Sequence, residues 1–261
     1  MNEQQWQLLL DVISGKQITP VPTGFIIDSP WLPGWFGIST LDYYTSDQLW
    51  FEANKKAIET FPETMFLPGF WSEYGMCTEP SAFGAKLRWE ESNLPHAEKI
   101  ASDLNVLCQL KKPNPQKDGL LPFVINRLKN MQPQIEGMDH QIKFAIARGP
   151  LNIASFLFGT TELMMAMMTE PEPCHKFIEL ITDFVTDWVG YQMEQFPTIE
   201  GILLLDDIIG FVGDEQCREY VVPYFKKIYG AFDAKVNFLH NDAPGLVSAP
   251  YLHEMGVNLF N

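Results

Sequence analysis

Short apolar runs that stop abruptly in polar residues alternate along this chain with longer stretches whose apolar residues recur three and four apart. The runs predict strands at Val21–Asp28, Thr64–Phe70, Phe144–Ala147, Gly201–Leu205, Val236–Leu239 and Gly256–Phe260. Gly201–Leu205 is apolar without interruption, as suits a strand buried on both faces of a parallel sheet. The helical spacing predicts helices over Trp6–Ile13, Ser46–Thr60, Gly119–Met131, Asn152–Met168, Glu170–Phe196 and from Gly213 to about Phe232. In the fifth of these, Phe177, Ile181, Phe184 and Trp188 share one face. Ser29–Gly37, rich in Trp, Pro and Gly, is expected as a loop over a pocket mouth, and Lys86–Pro95 as a β excursion. Strands alternating with helices argue for an α/β fold with right-handed crossovers, a β/α barrel formed as one domain over 1–261. Such a barrel needs eight strands, and the pattern supplies six.

The polar ends of the last long strands hold the densest chemistry. Gly201–Leu205 runs into Asp206 and Asp207, and Val236–Leu239 runs into His240, Asn241 and Asp242. Residues i and i+2 on a strand point to the same side, so His240 and Asp242 share a face. Asp206 and Asp207 must face opposite ways, and one of them is expected to cap a helix or hold a turn. The carboxyl ends of barrel strands are where catalytic groups gather, which nominates Asp207, His240 and Asp242 as catalytic. Asp28, Trp31, Glu73 and Arg148 border the same mouth and are candidates for substrate contact. Arg148 has an alternative role, pairing with a barrel carboxylate, and Glu73 reads equally as a solvated loop acid. The methionines at 164, 165, 167 and 168 are expected chiefly to fill core.

Charge narrows the partners. The net charge of −15 and pI of about 4.7 argue against nucleic acid and against an anionic membrane surface. No apolar run approaches the roughly 18 residues of a membrane span, and Met1–Gln5 lacks the blocks of a signal peptide. A cytoplasmic location is the expectation. Cys77, Cys108, Cys174 and Cys217 are far apart, as suits reduced, mostly buried thiols.

Several blocks together resemble the uroporphyrinogen decarboxylase superfamily, which includes cobalamin-dependent methyltransferases. They are Arg148-Gly149-Pro150-Leu151-Asn152-Ile153-Ala154-Ser155, the helix after Pro171-Glu172, Gly201–Asp207, Tyr220–Ile228 and Phe238-Leu239-His240-Asn241-Asp242. The resemblance implies a (β/α)8 TIM barrel whose last two strand–helix units are expected beyond Asn261, the domain being C-terminally incomplete here or departing from the family fold.

The decarboxylase branch binds a tetrapyrrole bearing many carboxylates through arginines just after the first strand. This chain has Asp28 and Trp31 there, and no arginine before Arg88. The methyltransferase branch carries His-x-Cys where this chain has His240-Asn241-Asp242. The resemblance therefore implies zinc held by His240 and Asp242, with Glu219 as a further ligand candidate and Asp207 as ligand or orienting acid. Carboxylate in place of thiolate makes the site harder, better suited to a small O- or N-methylated substrate than to a thiol. The methyl acceptor implied is a corrinoid carried by a partner protein. The alternatives are a tetrapyrrole decarboxylase and a non-catalytic member that holds a ligand under the aromatic loop.

Overall fold

The computed structural model describes residues 1–27 and 29–261. Its strands, in chain order, are β1 (Thr23–Ile26), β2 (Thr64–Leu67), β3 (Leu87–Arg88), β4 (His96–Ala97), β5 (Phe144–Arg148), β6 (Gly201–Leu205), β7 (Val236–His240) and β8 (Leu259–Phe260). β5, β6, β7 and β8 form a parallel sheet in that order, β1 and β2 a second parallel pair, and β3 and β4 a small antiparallel ladder. The register places Arg148 beside Leu205 and Leu205 beside His240, so the polar strand ends lie level.

Alternation along these strands separates two cores. Phe144, Leu203, Leu205, Val236 and Phe238 point inward and pack with Met65, Trp71 and the N-terminal helix Glu3–Ile13. Trp6 of that helix meets Phe144 edge to face at 5.5 Å. Ala145, Ala147, Ile202, Leu204 and Leu239 point outward into the larger core, against the helices. The long helix Pro171–Gln195 buries Phe177, Ile181, Phe184 and Trp188, the face its spacing predicts.

The expected closed ring of strands is not present among the described residues, and the break between β2 and β5 has a visible cause. On the edge of β5 away from β6, Ile146 donates its N–H to Gln192 Oε1 at 3.0 Å and accepts from Gln192 Nε2 at 2.9 Å. Two residues on, the Arg148 N–H donates to Glu79 Oε1 at 3.1 Å. Side chains thus satisfy backbone groups that a paired strand would otherwise take, as buried backbone requires.

Three local expectations change. The supposed loop at Ser29–Gly37 contains a helical turn, Leu32–Phe36, which buries Leu32 and Pro33. The helix expected over Asn152–Met168 is two, Pro150–Phe158 and Thr160–Thr169, bent by 107° at Gly159. Gly159 has φ +113°, and a Cβ there would run into Glu162 and Lys99, so only glycine makes this corner. Met167 is core, whereas Met165 and Met168 are exposed. No single helix among the described residues is long and apolar enough to cross a membrane.

Candidate active site

A cavity of about 740 Å³ opens at the carboxyl ends of β1, β2 and β5–β8. Its apolar wall includes Ile26, Trp31, Trp71 and Phe238, and its polar lining is Glu73, Arg148, Asp207, His240, Asp242 and Asn261. Continuing the inward alternation of β6 brings Asp207 to the mouth after Leu203 and Leu205, and that of β7 brings His240 and Asp242 there after Phe238. One ligand atom from each of Asp207, His240 and Asp242 lies within 4.8 Å of the others. His240 Nε2 stands 3.4 Å from Asp242 Oδ2, and Asp207 Oδ1 accepts the Asp242 N–H at 2.8 Å. The structure therefore brings these three nominated residues together. As neutral imidazole plus two carboxylates, they form an oxygen-rich set suited to a divalent cation with an open position.

Arg148 and Glu73 also line the cavity, paired with each other at 2.6 Å and both nearly buried. The arginine therefore presents its charge to a protein carboxylate rather than to a vacant anion site. Behind it, Glu79 is wholly buried and accepts the Arg148 N–H; burial pushes its carboxyl above the usual range, with Arg148 opposing. The other arginines have carboxylate partners too: Arg88 with Glu98, Arg127 with Asp47, and Arg218 with Asp214. Neutralising a polycarboxylate needs uncommitted forked donors.

Asp206 has the opposite fate to its neighbour. It is fully buried on the helix side of β6 and accepts N–H groups from Leu151 and Asn152 at Oδ2 and from Ile208 at Oδ1. It thereby caps the helix Pro150–Phe158, whose preceding residue Gly149 has no side chain to do so. Burial pushes the Asp206 carboxyl up to about 7, against the pull of these backbone donors.

Other nominated residues stand elsewhere. Glu219 lies on a π-helical turn, Cys217–Val221, half-exposed, and its Oε1 meets His175 Nε2 at 3.0 Å. It takes no part in the Asp207–His240–Asp242 cluster, because the helix that carries it turns its side chain toward Pro171–Gln195 instead. Trp31 lines the cavity and stacks on Trp35 with centroids 5.0 Å apart. The substrate contact expected of Asp28 lies outside the described residues. Glu79, Gln192 and Asn261 were not singled out from the sequence; a lone Glu, Gln or Asn offers no spacing signal, and each acts on a residue distant in the chain. All four cysteines are free, and burial raises each thiol, Cys77 and Cys174 to about 12.

The family model for uroporphyrinogen decarboxylase (URO-D) matches residues 7–261. A methylated-thiol–coenzyme M methyltransferase from Methanosarcina mazei is 24% identical over 196 residues, 72% of this chain and 50% of that protein. The chain thus matches about half the length of this curated relative. The solved structure of a methyltransferase from Methanosarcina mazei superposes with a TM-score of 0.76 at 16% identity, over 97% of this chain and 74% of that one. The chain belongs to the uroporphyrinogen decarboxylase family, and the relatives it resembles are on that superfamily's methyltransferase branch.

Proposed function

We propose that the protein is an enzyme that moves a methyl group from a small O- or N-methylated donor to a corrinoid carried by a separate protein, with zinc held by His240, Asp242 and Asp207. The observation that carries this reading is the convergence of those three side chains, within 4.8 Å, on the cavity at the strand ends. On this reading the fold is of (β/α)8 type, with β1, β2 and β5–β8 among its strands.

The donor set fits the ion. Imidazole and carboxylate are both zinc ligands, and three protein ligands with an open position mark a catalytic site. Oxygen in place of sulfur makes the set harder and favours an ether or amine heteroatom over a thiol. When bound, zinc supplies Lewis acidity to the donor's heteroatom, making it a better leaving group. The protein's own residues do the rest. Trp31, Trp71 and Phe238 give the cavity an apolar wall for the methylated group. The Glu73–Arg148 ion pair commits the arginine to a protein carboxylate, which suits a small uncharged or weakly polar donor better than an anion.

A tetrapyrrole decarboxylase is disfavoured by the arginines, each of which is already paired with a carboxylate. Metal analysis and corrinoid spectroscopy test the proposal together. The expected result is one zinc per chain, lost in His240→Ala, with the methylcorrinoid spectrum appearing when donor and the corrinoid protein, reduced to the Co(I) state, are added. No stoichiometric zinc in the unmodified protein, with His240→Ala indistinguishable from it, overturns the reading. Tight pigment binding without turnover assigns the protein instead as a binder.

A further inference from the structure

We infer that Asn261 is a positioning residue: its side-chain carbonyl selects the His240 tautomer that leaves Nε2 as the lone-pair nitrogen facing Asp207 and Asp242. The role of that lone pair rests on the metal-site reading above; the tautomer assignment does not.

His240 Nδ1 lies 2.7 Å from Asn261 Oδ1. An amide oxygen only accepts, so the proton of the neutral ring belongs on Nδ1, and Nε2 is left as an acceptor. Nε2 is the nitrogen on the cluster side, 3.4 Å from Asp242 Oδ2. Without Asn261 the balance reverses. The carboxylates on the cluster side, Asp242 foremost at 3.4 Å, then attract the ring proton, which moves to Nε2, and the lone pair turns away from the two acids. The same carboxylate that would share a cation with His240 thus competes for its lone pair, and Asn261 decides the competition. Histidines that ligate metals commonly donate their second ring N–H in this way, which fixes both tautomer and ring orientation.

Asn261 is held independently of its side chain. Its N–H donates to Leu239 O at 3.2 Å, and its carbonyl accepts from Asn241 N at 3.1 Å, continuing the pairing of β8 with β7. A substitution that keeps the backbone therefore reads the side-chain role alone.

The experiment is a multiple-bond ¹H–¹⁵N spectrum of the metal-free full chain labelled at histidine nitrogen, at mildly alkaline pH, with His240 assigned by its loss in His240→Gln. The unmodified protein is expected to show His240 protonated at Nδ1. Asn261→Leu, of similar size but without an acceptor, is expected to move the proton to Nε2, and Asn261→Asp to keep it on Nδ1. Zinc titration against a chromophoric chelator reads the consequence: about a 10- to 100-fold loss of affinity in Asn261→Leu, as removal of a ligand-orienting partner commonly gives, and none in Asn261→Asp. A Nε2-protonated ring in the unmodified protein, or an unchanged tautomer in Asn261→Leu, overturns the inference. If the unmodified protein binds no zinc, the metal reading fails, and the tautomer spectra alone decide the role of Asn261. Asn261→Asp also guards against misfolding, since it preserves the acceptor.

Discussion

Oδ1 of Asp207 accepts the backbone N–H of Asp242 at 2.8 Å, so the acid that ends β6 also orders the turn that follows β7. One carboxylate thus links two adjacent strand ends and belongs to the proposed cation cluster. Asp207→Asn keeps an oxygen for that N–H and removes the charge. It is expected to leave the thermal midpoint nearly unchanged and to weaken zinc binding at least tenfold. Asp207→Ala also loses the hydrogen bond, worth about 1 kcal/mol, and is expected to lower the midpoint by about 2–4 °C. Equal zinc affinity in Asp207→Asn and the unmodified protein would remove Asp207 from the ligand set.

Asp206 is predicted to matter for stability rather than for zinc. Asp206→Ala leaves the N–H groups of Leu151, Asn152 and Ile208 without their acceptor. Each buried orphan costs about 1–3 kcal/mol, so urea denaturation is expected to show a loss of at least about 3 kcal/mol. The pH dependence has a definite sign. Burial raises this carboxyl from 3.8 to about 7, so the folded chain holds the proton more tightly than the unfolded one. Its contribution to stability is therefore greatest below the lower value and declines as pH rises toward the upper one. Denaturation series across that window should show a steeper decline in the unmodified protein than in Asp206→Ala.

Gly149→Ala tests the same contact from the other side. A Cβ at Gly149 would sit 2.3 Å from Asp206 Oδ2 and 2.5 Å from Asp206 Cβ, so carboxylate and helix end must part. The backbone there has φ −70°, which any residue adopts, so the cost is steric. Overpacking of this kind costs about 1–3 kcal/mol, and calorimetry showing no change in midpoint would refute the packing described.

Thiol labelling is expected to be slow and selective. Cys77, Cys174 and Cys217 are buried, whereas Cys108 is only half-buried and donates to Pro173 O at 3.2 Å. A chromogenic disulfide reagent should modify Cys108 first in the native protein and all four only after denaturation. Rapid native labelling of Cys174 would contradict the burial that raises its thiol.

Much of the framework is determined by local pattern. The apolar runs that end at Asp206 and at His240 identify their own strands, and period-two geometry requires Asp206 and Asp207 to part company, one inward and one outward. The parallel order β5–β6–β7–β8 follows the chain, which is why His240, Asp242 and Asp207 were legible as one group. What only the tertiary structure decided are the partners of single polar side chains. Arg148 finds Glu73 rather than a substrate anion, Glu219 finds His175, Gln192 takes the edge of β5, and Asn261 reaches the far side of His240. These pairs join residues 21 to 75 positions apart. No periodicity spans such gaps: hydrophobic spacing sets which face a side chain takes, and only packing sets what it meets there.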